Sequence, residues 1–176
     1  MNFIESLSNY VLENLTTKDL PKIGEIALSE QLESESTCIL AGMTGKDNSF
    51  EILHYFNSSL KELDMQLPER AAAARLLTKY YLHQIVQNPQ HAFEIMIKID
   101  NEIYKKINLD YSSQQYLGAA LKLEHLYTWY REIQDWRDGG RILYYNDLPR
   151  QEQLKKFETQ LVAAAKDALN EHYLDL

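Results

Sequence analysis

Cysteine is nearly missing from this chain of 176 residues: the single thiol is Cys38. An internal disulfide is therefore excluded, and one thiol cannot make a zinc site alone. Such sparse use of cysteine is typical of a reducing compartment. Cys38 lies in the apolar run 38–41, where we expect a small buried thiol.

Long apolar runs are missing too. The longest uninterrupted ones fall far short of the roughly 20 residues that a membrane-spanning helix needs. Residues 1–5 lack the basic segment that opens a secretory signal peptide. We therefore predict a cytoplasmic protein that does not bind membranes.

Metal and nucleotide motifs form the third absence. The chain has no Walker, dinucleotide or G-x-S-x-G glycine pattern. Glu51 and His54 form one E-x-x-H pair, but di-iron bundles need two such pairs and two further glutamates. We expect a solvated helix face there, and surface imidazoles at His83 and His91. The sequence thus predicts neither a metal site nor a cofactor.

Positive charge is scarce in the first part of the chain. The formal net charge is −8, and residues 1–70 hold 12 Asp and Glu against 5 Lys and Arg. Such a surface repels the phosphates of nucleic acids and attracts a basic protein partner. It is also what keeps an ordinary cytosolic protein soluble, so both interpretations stay open.

The apolar residues that are present recur at the helical period. In residues 154–168 they follow steps of three and four, and no stretch of sustained alternation predicts a strand. We predict an all-α fold, a single domain over residues 1–176 with a weak sub-boundary near 108–113. About seven to eight helices would surround a central helix at 69–87, which is apolar over most of its girth.

The helix bounds follow from capping and breaking residues. Gly139 is expected to end the seventh helix in a left-handed conformation, and Pro149 to open the last one. Between them lies a short apolar segment, residues 142–145. The second helix carries Leu20, Ile23 and Ala27, and the central helix is the fifth. The other predicted helices span residues 3–15, 36–43, 50–65, 90–107, 113–138 and 149–173.

Aromatic residues concentrate towards the C-terminal part of the chain, and residues 127–138 include both tryptophans. At helical spacing Tyr130 and Ile133 continue the apolar face of Leu123 and Leu126. Aromatic side chains suit protein interfaces and helical cores alike, so both roles stay open for this stretch. Tyrosines in connections make good contact groups because they offer area at low entropic cost. The candidate partner-binding residues are Tyr111, Tyr116, Trp129, Trp136, Tyr144, Tyr145, Glu33 and Glu35.

An enzyme is the alternative function. It would use a carboxylate cluster on the helix at 113–138, with Glu124, Glu132 and Asp135 as candidates. We expect all three on the solvent side of that helix. The sequence therefore favours a non-catalytic protein-binding module.

An ordered pattern links residues 36–100 to known sequences. It comprises Ile39-Leu40-Ala41-Gly42-Met43, Leu60-Lys61-Glu62-Leu63, Leu67-Pro68 and an alanine-rich helix from Ala72. This pattern resembles a widespread group of small uncharacterised bacterial helical proteins. It departs from the group at Asp64 and at Gln87-Asn88, where the group has glycines.

The group has no agreed activity, so the resemblance implies a helical fold and little more. Small acidic helical proteins of this kind can serve as immunity proteins for toxins, an analogy at the level of fold and charge. The expected function is therefore protein binding, with an immunity-type protein that neutralises a basic toxin domain as its sharpest form.

Overall fold

A computed structural model describes residues 1–107 and 121–170. The described residues form eight α-helices and no strand, which confirms the predicted all-α fold. None of these helices is long and apolar enough to cross a membrane. The helices are α1 Phe3–Val11, α2 Leu20–Ser29, α3 Glu35–Gly42, α4 Ser49–Glu62, α5 Arg70–Gln87, α6 Ala92–Lys98, α7 Glu124–Asp138 and α8 Arg150–Asn170.

The chain divides into two compact units, Met1–Leu77 and Thr78–Leu176, and the division falls inside α5. This helix carries fully buried side chains in both units, among them Ala73 in the first and Ile85 in the second. It is therefore as apolar in the fold as its sequence predicts. The sub-boundary predicted near 108–113 lies outside the described residues.

The first unit packs α2, α3 and α4 against one another, with α1 on α2. Gly24 of α2 allows a close approach to α3, because a Cβ there would lie 2.9 Å from the backbone nitrogen of Ala41. Tyr10 and Phe56 meet edge to face at 5.3 Å. The core of this unit consists of Phe3, Leu7, Leu20, Ile23, Ala27, Leu40, Ile52, Phe56 and Leu60.

Cys38 was expected to be buried, and this prediction is wrong: its side chain is exposed. The buried residues of α3 are Ser36, Thr37 and Leu40, so Cys38 points to the other side of the helix. A run of four apolar residues covers a full helical turn and cannot say which side faces the core. The packing of α2 and α4 decides it.

Predicted helix ends differ from the observed ones where residues adopt positive φ angles. α1 ends at Val11 rather than at residue 15, and Glu13 follows it with φ of +60°. α4 ends at Glu62 rather than at residue 65, and Asp64 follows it with φ of +53°. α7 begins at Glu124, since Lys122 just before it has φ of +51°, and residues 113–120 of the predicted helix lie outside the described residues. A left-handed residue interrupts the hydrogen-bond ladder, and apolar periodicity does not report it.

The sixth predicted helix consists of three segments of different helix types. A 3-10 turn at Pro89–His91 leads into α6, and a π-helical turn at Ile99–Tyr104 follows it. The prediction of helical structure in this region is therefore correct, but the prediction of one regular α-helix over 90–107 is wrong. The last described residue of α8 is Asn170, because residues 171–176 lie outside the described part of the chain.

The second unit packs α7 against α8, with α6 touching both. The predicted apolar face of α7 is confirmed, since Leu126 is 1% exposed and Ile133 is fully buried. α8 contributes Phe157 and Leu161 at the predicted helical spacing, both fully buried. This pairing positions the connection between α7 and α8.

Candidate functional site

The connection between α7 and α8 exposes two apolar side chains within a short stretch. α7 ends at Gly139, whose φ of +72° is the left-handed cap that the sequence predicts. Residues 142–145, here called the hook, form neither helix nor strand. In the hook Leu143 is 66% exposed and Tyr144 is 45% exposed. The chain thus presents an apolar tip to solvent.

A buried carboxylate lies beneath this tip. Glu132 of α7 is only 3% exposed. Its Oε2 accepts the backbone N–H of Leu143 at 2.9 Å and that of Tyr144 at 3.3 Å, and its Oε1 lies 3.2 Å from the Leu143 nitrogen. Hydrogen bonds to an ionised carboxylate are stronger than neutral ones. Glu132 therefore holds the middle of the hook against α7.

The position of Glu132 corrects the sequence prediction. Glu124 and Asp135 are exposed as expected, but Glu132 is buried because the hook folds back over its side chain. The three candidate carboxylates thus have different surroundings. An enzyme with a carboxylate cluster on this helix stays a prediction that the geometry does not favour.

An aromatic stack supports the hook from below. The half-buried Trp129 lies 5.1 Å from Tyr144, 6.2 Å from Tyr145 and 6.4 Å from the fully buried Phe157, measured between ring centroids. Tyr145 also packs on Phe157 at 5.9 Å. Gln160 of α8 donates a hydrogen bond to the Tyr145 hydroxyl at 3.2 Å. Side chains of both helices and of the hook therefore interlock.

A second contact joins the end of α7 to the start of α8. The indole N–H of Trp136 donates to the carbonyl oxygen of Arg150 at 3.0 Å, and the guanidinium of Arg150 donates to the carbonyl oxygen of Trp136 at 2.7 Å. The same guanidinium stacks over the indole at 4.8 Å. These reciprocal bonds fix the two ends of the connection.

A groove of about 310 Å³ lies beside the stack, between α7 and α8. Trp129 forms part of its wall, and the polar groups of Lys122, His125 and Asp167 line it. Pockets for small molecules start at about this size. The apolar part of the lining consists of Leu123, Leu126, Ala163, Ala164 and Ala168.

Sequence reasoning missed two tyrosine–carboxylate pairs in the second unit. The hydroxyl of Tyr81 donates to Oε2 of Glu102, and that of Tyr127 donates to Oδ1 of Asp100 at 3.3 Å. Both carboxylates belong to the π-helical turn. Burial, then the hydrogen bond to Glu102, raises the pKa of Tyr81, while burial and the charge of Asp100 raise the pKa of Tyr127. These satisfied pairs tie the turn to α5 and α7.

The acidic surface predicted for the start of the chain lies in the first unit. Glu33 and Glu35, at the start of α3, are exposed, and neither forms an ion pair among the described residues. Other carboxylates of this unit serve helix starts instead. Glu62, for example, accepts the backbone N–H of Ser36 at 3.0 Å and its hydroxyl at 2.6 Å. Those hydrogen bonds lower the pKa of Glu62, the hydroxyl contributing most.

The histidines that the structure describes lie on surfaces. Glu51 and His54 are both exposed on α4, and His83 and His91 are exposed in the second unit. Within residues 1–107 and 121–170, no three His, Cys, Asp or Glu side chains come together as a metal site would require.

The structure brings together three of the eight predicted contact residues: Trp129, Tyr144 and Tyr145 meet in the aromatic stack. Trp136 is half-buried and bound to Arg150, while Glu33 and Glu35 belong to the first unit. Tyr111 and Tyr116 lie outside the described residues. No periodicity in the sequence could have indicated Glu132, because its burial depends on where the hook lies.

Comparisons with known proteins add no relative to this picture. No family model matches the chain, and neither a curated protein nor a solved structure is significantly similar to it. The resemblance to small bacterial helical proteins therefore stays a prediction. Function has to be inferred from the geometry alone.

Proposed function

We propose that this chain is a protein-binding module and that the hook is its contact surface. The observation that carries the proposal is the exposure of Leu143 and Tyr144, 66% and 45%, on a connection held from below by Glu132 and by the aromatic stack. An ordered backbone that presents apolar and aromatic side chains loses little entropy on binding. This arrangement suits a small, preformed contact.

The proposed partner is a basic protein. Residues 1–70 carry a net charge of −7 from 12 acidic and 5 basic side chains. Glu33 and Glu35, two of these twelve, are exposed and form no ion pair among the described residues. A net field of this sign accelerates the approach of a cationic protein wherever contact is finally made. An immunity-type role, in which a basic toxin domain is neutralised in the cytoplasm, is the sharpest form of this proposal.

A capture experiment tests the function. The immobilised protein is exposed to an extract of its source cells at about 0.05 M and about 0.5 M salt, since ionic screening weakens electrostatic steering. The double variant Leu143→Ser and Tyr144→Ser should lose the captured protein. The control Phe50→Ser changes a side chain that is 85% exposed in the first unit, and it should retain the protein.

Two outcomes would contradict the proposal. The first is that no protein is retained at low salt. The second is that the hook variant and the control retain the same proteins equally well. A captured protein that depends on the hook but is acidic would refute only the predicted charge of the partner.

A further inference from the structure

We propose that Glu132 is a positioning residue for the protein-binding surface, because its buried carboxylate sets the conformation in which the hook turns Leu143 and Tyr144 outward. The consequence for binding rests on the proposed function. The effect on the hook itself does not, so the two can be tested separately.

The hydrogen bonds of the Glu132 carboxylate go to the hook. In the described part of the chain, Glu132 makes no ion pair, and its hydrogen-bond partners are the backbone N–H groups of Leu143 and Tyr144. A carboxylate that is 3% exposed loses most of its hydration, so these bonds must offset that loss. The interaction is therefore directed at the hook and at nothing else in the described core.

The N–H groups of the hook depend on Glu132 in turn. Within the described residues, neither the N–H of Leu143 nor that of Tyr144 has a backbone acceptor. Buried or half-buried N–H groups need an acceptor, and Glu132 supplies it for both. The two N–H groups in the middle of the hook are thus held by one side chain rather than by a ladder of backbone bonds, while Asn146 donates to the carbonyl oxygen of Leu143 at 3.2 Å.

The last residue of the hook, Tyr145, is held in a different way. Its backbone is left-handed, with φ of +56°. Gln153 of α8 donates to the carbonyl oxygen of Tyr145 at 3.2 Å. Because Gln153 holds Tyr145 and the Trp136–Arg150 hydrogen bonds join α7 to α8, the hook can detach in the middle while the two helices stay packed. Glu132 therefore controls a local opening rather than the fold.

Detachment has an optical consequence. Tyr144 covers Trp129 at 5.1 Å, so a released hook leaves the half-buried indole in contact with water. Its emission should shift to longer wavelength and become easier to quench with acrylamide. This readout requires no partner.

The decisive variant is Glu132→Gln, which keeps the size of the side chain but removes its charge and replaces one acceptor oxygen with a donor. We expect the amides of Leu143 and Tyr144 to exchange with deuterium about tenfold faster or more, and Trp129 to become more quenchable. Glu124→Gln is the matched control, since it makes the same change at an exposed site on α7 and should alter neither readout. Glu132→Asp keeps the charge with a shorter reach and should give intermediate exchange.

Unchanged exchange at both amides in Glu132→Gln, in protein that retains its helical circular dichroism, would overturn the proposal. So would equal effects of Glu132→Gln and Glu124→Gln. If Glu132→Gln fails to fold, Glu132→Asp decides, because intermediate exchange in a folded protein supports the role and wild-type exchange refutes it.

Binding is the last step. With a partner captured through the hook, Glu132→Gln should weaken its affinity about tenfold or more, as loss of preorganisation does. Faster exchange with unchanged affinity would overturn the positioning role. If the protein captures no partner but Glu132→Gln still speeds amide exchange, the proposed function is refuted, while the role of Glu132 in holding the hook is supported.

Discussion

Phe157→Ala is the substitution whose effect can be worked out most fully from the structure. The ring of Phe157 is fully buried in α8, and it packs on Trp129 at 6.4 Å and on Tyr145 at 5.9 Å. It therefore serves the α7–α8 core and the support of the hook at once. Truncating it removes both contributions without changing charge.

The expected loss follows from area and cavity. An aromatic side chain buries on the order of 150 Å² or more, which at about 25 cal/mol per Å² corresponds to about 4 kcal/mol of transfer free energy. Alanine regains a small part of this, whereas the cavity and the lost ring contacts add to the loss. We expect the free energy of unfolding to fall by about 3–5 kcal/mol.

Urea denaturation measures this loss. Circular dichroism at 222 nm follows the helices, and tryptophan fluorescence follows the second unit, since both tryptophans lie there. With a slope of about 2–3 kcal/mol per M, the midpoint should fall by about 1–2.5 M. The protein should remain helical in the absence of urea.

Phe50→Ala supplies the control for Phe157→Ala, because it makes the same chemical change at a side chain that is 85% exposed. Its free energy of unfolding should stay within about 0.5 kcal/mol of the wild-type value. A loss below about 1 kcal/mol in Phe157→Ala, or equal losses in the two variants, would refute the placement of α8.

Two further predictions concern helix contact and pH. Gly24→Ala places a Cβ 2.9 Å from the backbone nitrogen of Ala41 and should lower the free energy of unfolding by about 1–3 kcal/mol. The control Gly42→Ala adds a Cβ that meets nothing within 4 Å, so stability should stay equal or rise slightly. Equal urea midpoints in the two variants would contradict the α2–α3 contact. Burial raises the pKa values of Tyr81 and Tyr127 in the folded protein, whereas in the unfolded chain both values are about 10. The unfolded chain therefore loses these protons first as the pH rises. This contribution to stability should therefore be fully present below about pH 10 and decline above it. Between about pH 9 and about pH 11, the urea midpoint of the double variant Tyr81→Phe and Tyr127→Phe should fall less than that of the wild type. An equally large fall in both proteins would show that other groups cause the decline.

Much of the fold could be predicted because it depends on local order along the chain. The apolar spacing of residues 154–168 places Phe157 and Leu161 in the core, and Gly139 ends α7 as its lack of a Cβ allows. Helix existence and type follow from such periodicity. The exact ends do not, since left-handed residues such as Lys122 interrupt a helix without changing its apolar pattern.

The candidate site could be predicted only in part. The aromatic residues Trp129, Tyr144 and Tyr145 stand out by composition, and the structure does bring them together. That the hook covers Trp129 while exposing Leu143 is decided by how α7 and α8 cross, because contacts between residues far apart in sequence leave no local pattern.

The sequence by itself determined the all-helical class, the acidic first part of the chain and the apolar faces of α7 and α8, because periodicity and charge are properties of neighbouring residues. Only the tertiary structure decided that Cys38 is exposed and that Glu132 is buried beneath the hook. Which side of a helix meets water depends on what packs against it, and a chain segment that folds back can bury a charged group that its own helix would leave solvated.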